Sequence, residues 1–381
     1  MRKDTDGRRL RAGLVGGGRG AFIGAVHRMA VELDGEAQVV AGALSSDAAL
    51  ARDSAKAWNL ERSYDSYEEM ARAEAARPDG IDFAIVATPN HLHYPVARAF
   101  LEAGLPVVCD KPLAHAVQDA EALVKLVERT GLLFALTHNY TGYPMVREAR
   151  ERVRRGEIGE LRKIVVEYHQ GWLMNAIDPA TNKQAAWRGD PSRSGPGGCV
   201  ADIGSHAHNL VEFITGAKIA SLCADLSRFV PGRQLDDDAN ILLRLEGGAK
   251  GTMSCSQVAC GEENDLNIRV YGSKAGIEWH QQEPNTLLLK KGGEPWQRLR
   301  TGGRALSPEG QRAARLPAGH PEGYLEAFAT LYRTVIADLR RLAHGQGAQG
   351  GYPTVHDGLR GMRFIAASVE SSSMGGRWLD L

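Results

Sequence analysis

The stretch RAGLVGGGRGAFIGAVHRMA, residues 11–30, decides the fold of the N-terminal part of this chain. Its apolar beginning predicts a short strand, and the glycines that follow predict a tight turn leading into an amphipathic helix. Such a turn lets backbone N–H groups and the helix N-terminus approach a pyrophosphate. The spacing departs from G-x-G-x-x-G at its third position, which is Ala21, and the next suitable glycine is Gly24. Taken alone, the motif leaves a dinucleotide site and a purely structural turn both open.

Short apolar runs alternate with amphipathic stretches from residue 10 to about residue 139, which is typical of βαβ units and a parallel sheet. Two helix patterns, over 93–103 and 116–129, end near a glycine, the expected helix-stop signal. We therefore predict an α/β fold whose N-terminal domain, residues 1–140, is a doubly wound parallel Rossmann sheet. Its predicted strands cover residues 11–15, 37–43, 81–87, 107–109 and 132–136.

Residues 141–381 have a different texture and predict a second, α+β domain. Short alternating segments separated by turn residues favour a large, open and mostly antiparallel sheet. The predicted strands cover residues 162–169, 221–229, 239–245, 251–258, 266–271, 276–280 and 286–290. Helices are predicted over 148–155, 324–343 and 356–371, and an irregular loop over 291–320.

The composition excludes several classes of protein. Among 381 residues, 46 Lys and Arg balance 46 Asp and Glu, so no long-range positive field favours nucleic acid or an anionic membrane. Five cysteines, odd in number and without a C-x-x-C pair, indicate neither a disulfide framework nor a zinc ribbon. The polar N-terminus and the lack of a long apolar run predict a cytoplasmic protein without a membrane span. Small neutral ligands are therefore favoured.

Polar or special residues follow every predicted strand of the N-terminal domain. In an open α/β sheet the ligand binds outside the carboxyl ends of the strands, so these residues are expected to share one site. The predicted cofactor-binding residues are Gly16, Gly18, Arg19, Gly24, Ser45, Ser46, Thr88, Asn90, His91, Asp110, Lys111 and Asn139.

The choice between NAD and NADP stays open at this point. An acidic residue about 20 positions after the last glycine usually binds the ribose hydroxyls, and here 45 − 24 = 21 leads to Ser45, followed by Ser46. Without a carboxylate a 2′-phosphate is permitted, yet no arginine beside the serines demands one. The serines are equally compatible with capping the next helix.

Three motifs together resemble the Gfo/Idh/MocA oxidoreductases, named for glucose-fructose oxidoreductase, inositol dehydrogenase and a rhizopine-catabolism protein. They are TPNHLH at 88–93, CDKP at 109–112 and GGCVADIGSHAHN at 197–209, and the resemblance covers nearly the whole chain. It implies that Lys111, Asp202 and His206 are catalytic. Asp110 stands where Glu is common in the family. The resemblance also implies a homodimer or homotetramer formed through the open sheet of the second domain.

The chemistry of these residue types agrees with such roles. Oxidation of a secondary alcohol requires a base for the hydroxyl proton as hydride leaves carbon, and the imidazole of His206 suits that task. If 202–210 is helical, Asp202 and His206 are four residues apart and share a face. Lys111 can polarise the same hydroxyl. We predict no metal site, because His206 and His208 would point to nearly opposite faces of a helix.

Aromatic and polar residues near these motifs suggest the substrate. Tryptophan faces stack on the C–H side of sugar rings, while Arg and Asn bind hydroxyls, so a cyclic polyol or a pyranoside is favoured. The tryptophans are also compatible with a core or an oligomer interface. The predicted substrate-binding residues are Lys111, Tyr140, Trp172, Trp187, Arg188, Asp202 and His206.

Three functional hypotheses follow. The first is an NAD(P)-dependent dehydrogenase of a sugar, a sugar derivative or a cyclic polyol. The second is a redox-neutral glycosidase that keeps NAD tightly bound and oxidises one sugar carbon transiently. The third is a non-catalytic sensor of nucleotide and sugar, against which the presence of Lys111, Asp202 and His206 counts.

Overall fold

The computed structural model describes residues 7–176 and 187–381, and the chain divides into two compact units. The first contains the residues up to Asn139 together with Phe328–Leu359, and the second contains Tyr140–Ala327 and Arg360–Leu381. The chain passes from the first unit to the second between Asn139 and Tyr140. The segment 328–359 differs from the prediction, because it packs with the N-terminal part of the chain.

The first unit is a parallel sheet surrounded by helices. Its elements are β1 (Leu10–Gly16), α1 (Phe22–Glu32), β2 (Ala37–Ala43), α2 (Ala48–Ala57), β3 (Arg62–Ser63), α3 (Tyr67–Ala76), β4 (Phe83–Ala87), α4 (His93–Glu102), β5 (Val107–Cys109), α5 (Val117–Thr130) and β6 (Phe134–Leu136). The strand order is β3-β2-β1-β4-β5-β6, with every pair parallel. This is the Rossmann order, and it confirms the predicted fold class. All five residues of β4 are buried, which explains the continuous apolar run.

The C-terminal segment of this unit covers an edge of the sheet. Ala135 in β6 forms a bridge with Thr354, and the N–H of Leu136 donates to the carbonyl of Pro353 at 2.8 Å. An edge strand leaves backbone groups unpaired, and the returning chain satisfies some of them. This pairing is the physical reason why the segment belongs to the first unit.

The second unit contains a nine-stranded sheet. Its elements are α6 (Pro144–Arg154), β7 (Leu161–His169), α7 (Pro191–Ser194), α8 (Ser205–Thr215), β8 (Ile219–Ser227), β9 (Asp238–Leu245), β10 (Lys250–Ser256), β11 (Asp265–Gly272), β12 (Ala275–His280), β13 (Thr286–Lys291), β14 (Gln297–Arg300), α9 (Pro308–Ala313) and β15 (Leu379–Asp380). The order is β14-β13-β12-β11-β7-β10-β9-β8-β15; β7 and β10 pair in parallel, and the other neighbours in this order are antiparallel. The expected large, mostly antiparallel sheet is confirmed.

Two helices, α10 (Tyr324–Ala343) and α11 (Val355–Ser373), each contribute residues to both units. The predicted irregular loop over 291–320 is wrong in part, since it contains β14 and α9. The signal for α9 was present in the sequence: Ser307 caps the helix by accepting the N–H of Gly310 at 3.1 Å, and Pro308 occupies its first turn.

Candidate active site

The glycine-rich turn of the first unit is shaped by close backbone approach. Gly16 and Gly17 adopt positive φ angles of 76° and 68°, which favour glycine. A Cβ atom on Gly24 would lie 2.1 Å from the carbonyl oxygen of Gly17, so α1 can approach the turn only with glycine there. Gly24 is thus a packing glycine, the role of the third glycine in the dinucleotide fingerprint.

The neighbouring residues of the turn are tied to the second strand and helix. The N–H of Gly18 donates to Leu44 O at 3.1 Å, and the N–H of Arg19 donates to Ser54 Oγ at 3.0 Å. These two N–H groups are therefore engaged within the domain. Any contact of Gly18 or Arg19 with a cofactor would use other atoms.

The end of β2 corrects one alternative from the sequence. Asp47, not a serine, caps α2: its Oδ1 accepts the N–H of Leu50 at 2.9 Å. Ser45 Oγ accepts the N–H of Asp47 at 3.1 Å, and Ser46 is exposed. The serines therefore support the cap without forming it.

The ends of β4 and β6 carry polar atoms suited to a bound group. Thr88 Oγ1 and Asn139 Nδ2 are buried and have no hydrogen-bond partner among the residues that the structure describes. Leaving such atoms unpaired is costly, so a site that holds them open fits a polar ligand. Asn90 and His91 lie in a short 3₁₀ turn that begins two residues after Thr88. These residues fit the nicotinamide dinucleotide predicted from the sequence.

Lys111 follows β5, between two residues that are held firmly. Thr137 Oγ1 donates to Asp110 Oδ1 at 2.8 Å, and Asp110 Oδ1 also lies 3.8 Å from His27 Nε2. Burial acts to raise the pKa of Asp110, but His27, Lys111 and His93 together lower it below the ordinary value. The carboxylate is therefore ionised and faces other side chains of the first unit.

The second unit carries the other two predicted catalytic residues at the start of a helix. Asp202 lies in a π-helical turn over Val200–Gly204, and His206 follows in the first turn of α8. The helix expected over 202–210 is present, but it begins as a π-helical turn before it continues as α8. Asp202 Oδ2 accepts Gln257 Nε2 at 2.9 Å and lies 3.5 Å from Arg188 Nε.

A nearby carboxylate shapes this turn. Asp236 accepts the N–H of Gly198 at 2.6 Å and that of Val200 at 2.8 Å, although burial raises its pKa. A Cβ atom on Gly198 would lie 2.2 Å from Asp236 O, so the approach requires glycine. Gly198 of GGCVADIG thus has a packing role that the sequence did not reveal.

His206 is buried against two phenols. Its ring packs edge-on to Tyr140 with centroids 4.9 Å apart and to Tyr168 at 6.3 Å, and the residue is 8% exposed. The two phenol oxygens lie 2.5 Å apart, and burial raises the pKa of Tyr140 and of Tyr168, so both stay protonated. The phenols therefore fix the imidazole without competing for its proton.

Side-chain amides connect these phenols to Asp202. Asn264 donates to Tyr140 Oη at 3.1 Å and accepts from Tyr168 Oη at 2.7 Å, and Gln170 Nε2 donates to Asn264 Oδ1 at 2.8 Å. Gln257 Nε2 lies 3.4 Å from Gln170 Oε1 and 2.9 Å from Asp202. We call this set the amide–phenol network; its members are Tyr140, Tyr168, Gln170, Gln257 and Asn264.

The predicted substrate residues of this unit join the same cluster. Trp172 Nε1 donates to Gln170 Oε1 at 3.0 Å, and Arg188 lies over the ring of Trp187 at 4.8 Å from its centroid. Arg188 is also the ion-pair partner of Asp202. The structure thus brings together Tyr140, Trp172, Trp187, Arg188, Asp202 and His206. The sequence alone did not reveal Tyr168, Gln170, Gln257 and Asn264. The available signal was their position at or after the ends of β7 and β10 and, for Asn264, directly before β11.

Within 7–176 and 187–381, no group of three His, Cys, Asp or Glu residues is arranged to hold a metal ion. No helix of these ranges is long and apolar enough to cross a membrane. His93 illustrates the first point: its ring nitrogens lie 2.6 Å from Pro112 O and 2.9 Å from Thr88 O, which gives them backbone partners.

Comparison with known proteins defines the class first. Residues 10–138 match the model of an oxidoreductase family with an NAD-binding Rossmann fold, and residues 146–278 match the C-terminal domain model of the same group. The first unit is thus an NAD-binding domain of an oxidoreductase. The chain belongs to the GFO/IDH/MocA family.

Three relatives show the range of this similarity. An oxidoreductase from Sinorhizobium meliloti is 45% identical, with a TM-score of 0.88 over 98% of this chain and 99% of that one. An inositol dehydrogenase homolog from Azotobacter vinelandii, complexed with NADH and myo-inositol, is 34% identical, with a TM-score of 0.91 over 100% and 99%. Levoglucosan dehydrogenase of Pseudarthrobacter phenanthrenivorans is 26% identical over 74% of this chain and 76% of its own length.

Proposed function

We propose that this protein is an NAD-dependent dehydrogenase that oxidises a CH–OH group of a sugar, a sugar derivative or a cyclic polyol. The observation that carries the proposal is the polar cluster of the second unit. There Asp202, His206 and Arg188 are joined to amides, phenols and two tryptophans, a set that matches a ring bearing several hydroxyls. The myo-inositol bound by the Azotobacter vinelandii homolog is such a ring.

Each of these residues has a separate role in the proposed oxidation. His206 accepts the proton of the reacting hydroxyl, and its orientation is fixed by Tyr140 and Tyr168. Asp202, oriented by Gln257, binds a neighbouring substrate hydroxyl. Lys111 polarises the reacting oxygen. Bound NAD would supply the hydride acceptor, and Thr88 and Asn139, whose buried polar atoms have no partner among the described residues, would hold its polar groups.

The test is a change of nicotinamide absorbance with NAD or NADP and a panel of substrates. The panel contains myo-inositol, its stereoisomers, levoglucosan and common pyranosides. We expect turnover with at least one cyclic polyol or sugar. Lys111→Ala and His206→Ala should each lower kcat about 10³-fold while NAD binding survives. The exposed residues Lys125 and His356 provide the control variants Lys125→Ala and His356→Ala, which should keep full activity.

Other outcomes separate the alternatives. Release of an aglycone without net formation of NADH would identify the redox-neutral glycosidase. Nucleotide binding without turnover on any substrate would identify a sensor. Full activity of both alanine variants at 111 and 206 would refute the catalytic roles of Lys111 and His206.

We also propose a homodimer or homotetramer formed through the outer face of the nine-stranded sheet. Leu242, half exposed, is aligned with Thr252 and Val165 in a row across β9, β10 and β7. Contiguous exposed apolar surface, rather than a single residue, marks an interaction site, and this row adds Val165 and the methyl group of Thr252 to Leu242. Analytical ultracentrifugation of the wild type and of Leu242→Glu tests this, and an unchanged sedimentation coefficient would contradict it.

A further inference from the structure

Both chain neighbours of Lys111 are held by buried groups of the first unit. On one side, the N–H of Asp110 donates to Val86 O at 2.9 Å, and its carboxylate accepts the hydroxyl of Thr137 at 2.8 Å. On the other side, the carbonyl of Pro112 lies 2.6 Å from His93 Nδ1. The lysine therefore extends from a backbone segment with little freedom to move.

A chain of buried polar groups stands behind Asp110. His27 of α1 is fully buried; its Nδ1 lies 2.6 Å from Tyr332 Oη and its Nε2 lies 3.8 Å from Asp110 Oδ1. Tyr332 is 1% exposed and comes from the C-terminal segment that returns to the first unit. We call Tyr332, His27 and Asp110 the buried relay.

The partners determine where His27 carries its proton. A nitrogen lone pair facing a carboxylate would be repelled, so Nε2 bears the hydrogen that faces Asp110. Nδ1 then either accepts the hydroxyl of Tyr332 or donates to its oxygen. In both cases the hydroxyl of Tyr332 fixes the imidazole, in the way that a third group orients the base of a catalytic triad.

The charges around Asp110 come from several elements. His27 reaches it from α1 and His93 from α4, and Lys111 is its neighbour in the chain; together they lower its pKa against the effect of burial. Burial, with the charge of Asp110, raises the pKa of Tyr332, which stays a neutral phenol. Burial also lowers the pKa of His93. The buried relay thus ends in a carboxylate that immediately precedes Lys111 in the chain.

We infer that the buried relay positions Lys111: Tyr332 and His27 hold the Asp110 side chain in place, and the fixed Asp110 sets the backbone position from which the Lys111 amine extends. This inference rests on the proposed function only for the use made of Lys111. It assigns Asp110 and His27 as positioning residues and explains what the returning C-terminal segment contributes. The side-chain contacts that define the relay are made to other groups of the first unit.

The test measures the amine of Lys111 directly. Trace acylation with acetic anhydride, followed by peptide mass spectrometry, gives the rate at Lys111 as a function of pH in the full-length protein without substrate or cofactor. Only the neutral amine reacts. Asp110→Asn should change the acylation rate of Lys111 at a given pH by about threefold, because the carboxylate no longer holds the backbone segment that presents the amine. Tyr332→Phe, which removes one oxygen, should change the rate in the same direction by a smaller amount.

Matched controls make the outcome decisive. Tyr352→Phe alters another buried tyrosine of the first unit and should leave the curve unchanged, and Lys125 is an internal reference in every sample. An unchanged Lys111 curve in both relay variants overturns the inference. If Asp110→Asn does not fold, Tyr332→Phe decides alone. Because no turnover is measured, the relay can be confirmed even if no sugar or polyol is oxidised, and refuted even if one is.

The activity readout then separates positioning from a general structural role. Tyr332→Phe should lower kcat about tenfold, shift the pH profile of kcat, and leave the KM for NAD within about twofold. Asp110→Glu, which keeps the charge, should recover more activity than Asp110→Asn. Equal losses in kcat and in NAD affinity would instead indicate a disturbed domain and contradict the inference.

Discussion

The two units place their functional residues by different means. In the first unit the backbone conformation places the functional residues. Glycines with positive φ form the turn, and Thr88, Lys111 and Asn139 follow the carboxyl ends of parallel strands. In the second unit side chains hold one another, and Asp202 and His206 are connected through the amide–phenol network. A site built by backbone is sensitive to added volume, whereas a site built by side chains is sensitive to the loss of single polar atoms.

The first way to test this contrast is Glu212→Gln in the second unit, where we expect the largest loss of stability. Glu212 lies on α8, the helix of His206, and binds Arg360 Nη2 at 2.6 Å, Lys218 Nζ at 3.0 Å and the N–H of Ile219 at 3.0 Å. Removing the charge leaves these donors with a weaker acceptor, which should lower the free energy of unfolding by about 3 kcal/mol. Thermal melting at neutral pH measures the loss.

The same variant has a defined pH dependence. Burial acts to raise the pKa of Glu212, but His208, Arg360 and the Ile219 N–H lower it below the ordinary value. Its stabilisation is therefore complete above the unfolded pKa of about 4.3 and is lost as the pH falls below it. The variant should lose less stability than the wild type between about pH 5 and pH 3. Parallel curves for both proteins would contradict the role of this carboxylate; Glu370→Gln, an exposed change, is the control.

The contrast also explains what the sequence can predict. In the first unit the ends of each predicted strand lie within two residues of the observed ends. Buried parallel strands have short apolar runs as their sequence signal, and the turn has its glycines. The amide–phenol network has no such signal: its members come from positions 140, 168, 170, 257 and 264, which are joined only by the fold. The return of Phe328–Leu359 was missed because an amphipathic helix does not specify which core it covers.

A second prediction concerns added volume in the first unit. Gly24→Ala places a methyl group 2.1 Å from Gly17 O and 2.3 Å from Gly17 Cα, and neither backbone atom can move without displacing the turn. We expect a loss of about 2–3 kcal/mol in unfolding free energy and a marked loss of NAD affinity. Thermal melting and calorimetric titration measure the two effects.

The matched control for Gly24→Ala is Gly361→Ala in the second unit. Gly361 lies inside α11, and a Cβ atom there would meet nothing within 4 Å. Alanine at a helix interior should stabilise by about 0.5–1 kcal/mol. If both variants melt like the wild type, the close contact between α1 and the turn is not what shapes the nucleotide site.

The smallest expected effect comes from a single amide of the second unit. Gln257→Leu removes the hydrogen bond to Asp202 Oδ2 while keeping a similar volume in a position that is 2% exposed. Asp202 then loses its orientation, and kcat should fall about tenfold, equivalent to about 1.4 kcal/mol. Because NAD belongs to the first unit, its KM should not change, and Gln297→Leu on the exposed edge strand should alter neither constant. An equal change in kcat and in the KM for NAD would contradict the assignment of cofactor binding to the first unit and of substrate chemistry to the second.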